Sequence, residues 1–157
     1  QEMSRGLGDV YKRQVVVRAV TPEDYDLWVA EKKQAAFELA QLTEKDWTME
    51  ELVAKGEGVY QMNCVACHQV NGAGIPGIFP ALAGSDIVLN NKPRNVEILM
   101  EGVQGAAMQS FANQLSEVDM AAVITYTRRA WGNDAKGDGE IVVPKEIVEY
   151  KENKIKI

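Results

Sequence analysis

Apolar positions recur at helical spacing in three stretches of the chain, and each stretch has its own start or stop signals. Leu52, Val53, Gly56, Val59 and Tyr60 form the first stripe. Ahead of it, Thr48-Met49-Glu50-Glu51 has the pattern of a capping box, in which the Thr48 oxygen accepts from the third helical residue and Glu51 reaches back. Gly56 and Gly58 weaken this helix by roughly 1 kcal/mol each against alanine. A glycine kept there suits either close approach of another helix or tolerance at a surface position. Val96, Leu99 and Met100 predict a short second helix, with Pro93 at its first position and Gly102 just past its end. Met120, Val123, Ile124, Thr127 and Trp131 line the third, capped by Ser116 with Asp119 and stapled by Leu115 against Met120.

The rest is less regular. The β-branched run at residues 15–20, VVVRAV, predicts a short strand. Thr21 and Pro22 then open a helix, with Glu23 and Asp24 in its first turn, that runs to about Leu42 as a connector packed on something else. Residues 71–80 are a Gly/Pro loop, unusually apolar for a loop, which suits a segment covering a flat hydrophobic ligand. Residues 132–139, GNDAKGDG, read as a polar linker, and the tail at 140–157 alternates apolar and charged residues without indicating a role. Residues 1–14 have no periodicity and are set aside as a non-native or disordered terminus. This organisation predicts an all-α protein with a stub at 15–43, a central domain at 44–134, and a linker and tail at 135–157.

Composition narrows the partners. The 157 residues suffice for one domain with extensions, and 46% hydrophobic with 25% charged residues is ordinary for a soluble globular chain. A formal net charge of −6 argues against nucleic acid or an anionic membrane surface. The longest aliphatic run, Val15-Val16-Val17, is far short of the roughly 20 residues a membrane span needs. No secretory leader opens the sequence, so a chemistry that belongs outside the cytoplasm implies a fragment of a longer protein.

That chemistry is written in Cys64-Val65-Ala66-Cys67-His68, which holds both cysteines and the one histidine of the chain. CxxCH is the attachment signal for c-type haem. On a helical turn the three side chains share a face, so two thiols reach the vinyl groups of one haem while the imidazole reaches its iron. Structural zinc would want about four protein ligands, and no other Cys or His remains. A dithiol redox motif would want a βαβ context, and none is visible. With no second histidine, the other axial position falls to one of six methionines. Met3 lies in the suspect terminus, and Met49 and Met62 precede the motif, Met62 on the wrong side. Met100 and Met120 belong to core stripes. Met108, in the small-residue stretch Gly102-Val103-Gln104-Gly105-Ala106-Ala107-Met108, is the candidate ligand.

Helix, CxxCH, Gly/Pro loop, short helix, loop methionine and final helix, in that order over residues 48–131, resemble class I cytochromes c. The resemblance implies an all-α fold around one covalent haem c. It implies that the Pro80 carbonyl accepts the other N–H of His68, and that Gly56, Tyr60 and Tyr126 join the first and last helices. The run EILMEGVQGAAMQSFANQLSEVDMAAVITYTRRAWGN further resembles the cytochrome c domain fused to the C-terminus of subunit II of some bacterial haem–copper cytochrome c oxidases. Residues 15–28, VVVRAVTPEDYDLW, resemble the end of that subunit's cupredoxin domain, although the cysteines and histidines of its copper site are absent. The implied role is electron transfer without catalysis, on the outer face of the bacterial inner membrane. The implied partners are the oxidase core and a donor cytochrome or quinol-oxidising complex. The alternatives are a stand-alone carrier or a dehydrogenase module. A peroxidase-like enzyme is less well supported, because it would want a distal histidine.

Overall fold

The structure, a computed structural model, describes residues 18–155. The chain divides into two units, one reaching to Glu38 and the other starting at Leu39. Helix α1 (Pro22–Glu44) runs through that boundary. Its start follows the sequence signals: the Thr21 hydroxyl accepts from the Asp24 N–H at 3.1 Å, and Pro22 opens the helix. No α1 residue is buried. The expected strand is not present where it can be judged. Residues 15–17 lie outside the described residues, and residues 18–20 have no regular structure. A strand needs a neighbour to take its backbone groups. Among the described residues the one bridge is the isolated Ile75–Phe79 pair.

The second unit holds α2 (Met49–Asn63), α3 (Val65–His68), α4 (Asp86–Asn90), α5 (Lys92–Glu101), α6 (Glu117–Arg129), a 3₁₀ turn at Ala130–Gly132, and α7 (Pro144–Ile155). The Thr48 capping box is complete, with both reciprocal bonds made. In α6 the Ser116 hydroxyl accepts from the Asp119 N–H at 3.1 Å and donates to the Asp119 carboxylate at 2.7 Å. Asn91 caps α5, which moves Pro93 to the second helical position.

Helices α2 and α6 make the central pair. A side chain on Gly56 would overlap the Ala122 carbonyl, so the two backbones approach as closely as glycine allows, whereas Gly58 faces open space. Tyr60 and Tyr126 stack across this crossing with ring centroids 5.4 Å apart, and Trp131 joins them at 5.1 Å from Tyr60. Leu52, Tyr60, Met120, Ala121 and Ala122 are fully buried there. Burying each large apolar side chain contributes about 1.5–3 kcal/mol.

The tail that the sequence leaves without a role folds back onto this pair. Val142, Pro144 and Ile147 are fully buried. Arg128, 4% exposed, donates to the carbonyls of Glu140 (3.1 Å) and Val88 (2.7 Å) and pairs with Asp138. Lys151 pairs with Glu117 at 2.5 Å, and Lys92 with Glu146 at 2.8 Å. The residue 132–139 segment is likewise more than a linker. Its Asn133 is fully buried, donates to Leu82 and Thr127 carbonyls, and accepts from the Gly84 N–H.

Candidate functional site

The CxxCH turn grows out of the end of α2. Cys64 closes α2, with its N–H bonded to the Tyr60 carbonyl, and also starts α3, where the His68 N–H donates to the Cys64 carbonyl at 2.9 Å. Cys64, Cys67 and His68 are all partly buried. Burial, reinforced by the neighbouring Cys67, pushes the Cys64 thiol up to about 11, so at neutral pH it is protonated.

His68 is oriented from the loop that follows. Its Nδ1 lies 3.0 Å from the Pro80 carbonyl oxygen. A carbonyl only accepts, so the proton sits on Nδ1 and the lone pair of Nε2 is left free for a metal. Gly74 shapes this loop. The Gly74 N–H donates to the His68 carbonyl, and a side chain on Gly74 would collide with the Phe79 and Pro80 carbonyls.

Cys64 and His68 open onto a cleft that counts Leu82, Val88, Asn95, Ile98, Leu99, Met108, Val123, Ile124 and Thr127 among its walls. Its walls come from the loop, α4, α5, the stretch after α5, and α6. Met108 reaches it from a loop held against the end of α5. The Val103 N–H donates to the Met108 carbonyl at 2.9 Å, and the Ser110 hydroxyl donates to the Met100 carbonyl at 2.5 Å. Gly102, at φ +75°, turns the chain where a side chain would strike the Met108 carbonyl. The other described methionines lie elsewhere. Met62 is 79% exposed and Met49 36%, Met120 is wholly enclosed in the core, and Met100 packs on its edge. Met3 lies outside the described residues.

The structure thus brings Cys64, His68 and Met108 to one cleft and Pro80 to His68. Cys67 sits in the same helical turn but not among the cleft walls. Among the described residues no cluster of three His, Cys, Asp or Glu could hold a bare metal ion. A mostly apolar cleft offering one imidazole nitrogen and one thioether, beside two thiols spaced for vinyl groups, fits a haem. Sequence reasoning missed Asn133 and Arg128, which hold the loop and tail around the cleft. Asn133 sits in a polar run of the sequence, and Arg128 is a charged residue near the end of a helix, so neither signals burial.

Comparison with known proteins points the same way. The family model for "Cytochrome C oxidase, cbb3-type, subunit III" matches residues 51–126. Cytochrome c-552 of Thermus thermophilus is 38% identical over 100 residues, covering 55% of this chain and 75% of that protein. The cytochrome c subunit of the quinone alcohol dehydrogenase of Gluconobacter oxydans is 35% identical over 92 residues, 52% of this chain but 19% of the subunit. The gluconate 2-dehydrogenase cytochrome c subunit of Pantoea cypripedii is 26% identical over 110 residues, 24% of its length. The chain therefore spans about a fifth to a quarter of the dehydrogenase subunits it matches. With its fold, its CxxCH cleft and these relatives taken together, the chain belongs to the c-type cytochromes, electron carriers whose cofactor is covalently bound haem c.

Proposed function

We propose that Cys64 and Cys67 carry the haem through thioethers, that His68 and Met108 are its two axial ligands, and that Pro80 fixes the His68 ring. What supports this reading most is that His68 and Met108, from segments far apart in sequence, line one apolar cleft together with Cys64. When bound, the haem supplies reversible one-electron exchange between ferric and ferrous iron. The protein's own part is to hold both axial donors, to orient the imidazole through Nδ1, and to keep water from the cleft. A soft thioether donor favours the ferrous state and raises the potential.

Replacing Met108 by alanine tests the assignment. The variant is expected to lose the weak sulfur-to-iron charge-transfer band of the ferric protein, to bind carbon monoxide when ferrous, and to have a lower midpoint potential. Retention of the band with continued exclusion of carbon monoxide would put another residue on the iron. Cys64→Ala combined with Cys67→Ala should yield haem that washes out under acid–acetone extraction.

The carrier works outside the cytoplasm, where thioether attachment of haem takes place in bacteria. The relatives favour a dehydrogenase cytochrome module or a stand-alone carrier over fusion to an oxidase subunit II, since they include two dehydrogenase subunits and a cytochrome c-552. Its partners are then a dehydrogenase that delivers electrons and an acceptor further along the chain. Reduction by a quinone-dependent dehydrogenase, faster than by an oxidase's own donor, is the measurement that separates the two.

A further inference from the structure

We infer that Tyr60 and Trp131 are positioning residues for His68, because together they pin a strained turn that carries the histidine side of the haem site. Among the described residues, two that are not glycine have positive φ: Gln69 (φ 63°, ψ 160°) and Trp131 (φ 58°, ψ 29°). The Gln69 region is open almost only to glycine, so any residue with a Cβ persists there only if its surroundings enforce it.

Those surroundings are visible. The Tyr60 hydroxyl donates to the Gln69 carbonyl at 2.7 Å, and the Trp131 indole N–H donates to the next carbonyl, Val70, at 3.0 Å. The two rings pack at 5.1 Å. Gly72 has no side chain where the indole lies, and a Cβ there would overlap the ring. The two positive-φ side-chain-bearing residues are thus parts of one device. Trp131 takes a left-handed backbone so that its indole can reach the turn, and the turn holds Gln69 in a conformation it would not choose.

What the turn supports is the histidine. Gln69 directly follows His68 and closes α3 through its N–H bond to the Val65 carbonyl. Gly72 donates back to Gln69, and Gly74 donates to the His68 carbonyl. The Gly72 carbonyl in turn accepts from Leu82 and Ala83, fixing the far end of the strand of loop that presents the Pro80 carbonyl to His68 Nδ1. If the pins are removed, Gln69 relaxes toward negative φ, and the Nδ1–H···O=C bond to Pro80 lengthens or bends. A weaker bond makes the imidazole a poorer electron donor, which disfavours the ferric state.

The inference rests on the reading of His68 as an axial ligand, and the test separates the two. In the haem-loaded protein, Trp131→Phe keeps a ring and removes the N–H, while Tyr60→Phe removes only the hydroxyl. Each is expected to raise the midpoint potential and to shift the His68 ring-proton resonances of the ferric protein. Gln69→Gly releases the strain. It is expected to raise the thermal midpoint and, as a background, to shrink the potential shift caused by Trp131→Phe to a small fraction of its original size, a coupling that a double-mutant cycle isolates. If both single variants lose thermal stability equally in either background while potential and resonances stay put, the pair merely packs and the inference is overturned. If the unmutated protein lacks a low-spin, six-coordinate spectrum, the ligand reading itself fails, and it does so before any variant is made.

Discussion

A single amide, that of Asn133, joins three parts of the molecule that the sequence presents as unrelated. It ties the loop at Leu82 and Gly84 to the last turn of α6 at Thr127, from a side chain that is itself fully buried. Asn133→Ala would take this partner from the Gly84 N–H and the Thr127 carbonyl and leave the Leu82 carbonyl with the Ser85 N–H alone. Each lost partner costs about 1–3 kcal/mol, so a loss of at least about 2 kcal/mol is expected. Urea unfolding of the haem-loaded protein measures it, and faster hydrogen exchange at Gly84 should accompany it. Asn133 lay hidden because it sits in a run of Gly, Asn, Asp and Lys, which by composition reads as linker. Arg128 was hidden for a similar reason, since a guanidinium in a helix normally faces water and this one instead satisfies backbone carbonyls. By contrast Cys64, Cys67 and His68 could be read directly, since their chemistry lies in local spacing. Met108, the proposed second ligand, was reached by elimination, because a methionine in a small-residue loop has no helical stripe to explain it, and the structure places it among the cleft walls.

The two glycines of α2 make opposite predictions at the scale of the helix. Gly56→Ala would force a methyl into the Ala122 carbonyl and push α2 away from α6. Overpacking of this kind costs about 1–3 kcal/mol. Gly58→Ala meets nothing within 4 Å and should stabilise the protein by about 0.8–1.0 kcal/mol through helix propensity alone. Thermal midpoints moving the same way in both variants would contradict the geometry. The stripe on α2 and the cap at Thr48 made this helix legible, whereas α7 was not. Of its buried and half-buried positions, Pro144, Ile147, Val148 and Lys151 do follow helical spacing, with Glu146 and Tyr150 beside them. The interleaved Glu and Lys residues concealed the stripe, because Glu146 and Lys151 face the core side, where Lys92 and Glu117 neutralise them. Residues 18–20, the described part of the expected strand, failed in the opposite sense, since β-branched residues favour a strand but cannot supply its partner.

Taken whole, the haem-bearing unit is held by ion pairs that bridge its elements, and acid should loosen it in a definite order of pH. Burial alone would raise the carboxyls of Asp119 and Glu117, but hydrogen bonds from Lys55 and Ser116 to the first, and from Lys151 to the second, more than offset it. Arg128 beside Asp138 likewise holds that carboxyl below its usual range. Folded-state values below the unfolded ones mean that the stabilisation is complete above the ordinary carboxylate range and is lost as pH falls through the depressed values. The unfolding midpoint should hold steady from about pH 7 to about pH 5 and decline below about pH 4. In Asp119→Asn that decline should be shallower, and an unchanged slope would mean that the pair with Lys55 contributes nothing. Deleting residues 1–38 should leave unfolding as it is, because α1 buries no side chain. Ending the chain at residue 134 should not, because Val142 and Ile147 leave the core with it. The position of α6 has a consequence in time as well. Residues 64–68 leave a ribosome or a secretion channel well before the helix that roofs the cleft has been made. The enzymes that attach haem can therefore meet both thiols on an open thread, and α6 then closes over a cofactor already in place. A chain stopped at residue 113 should accordingly still acquire covalent haem while showing no cooperative unfolding. A haem-free product would mean instead that attachment waits for the fold.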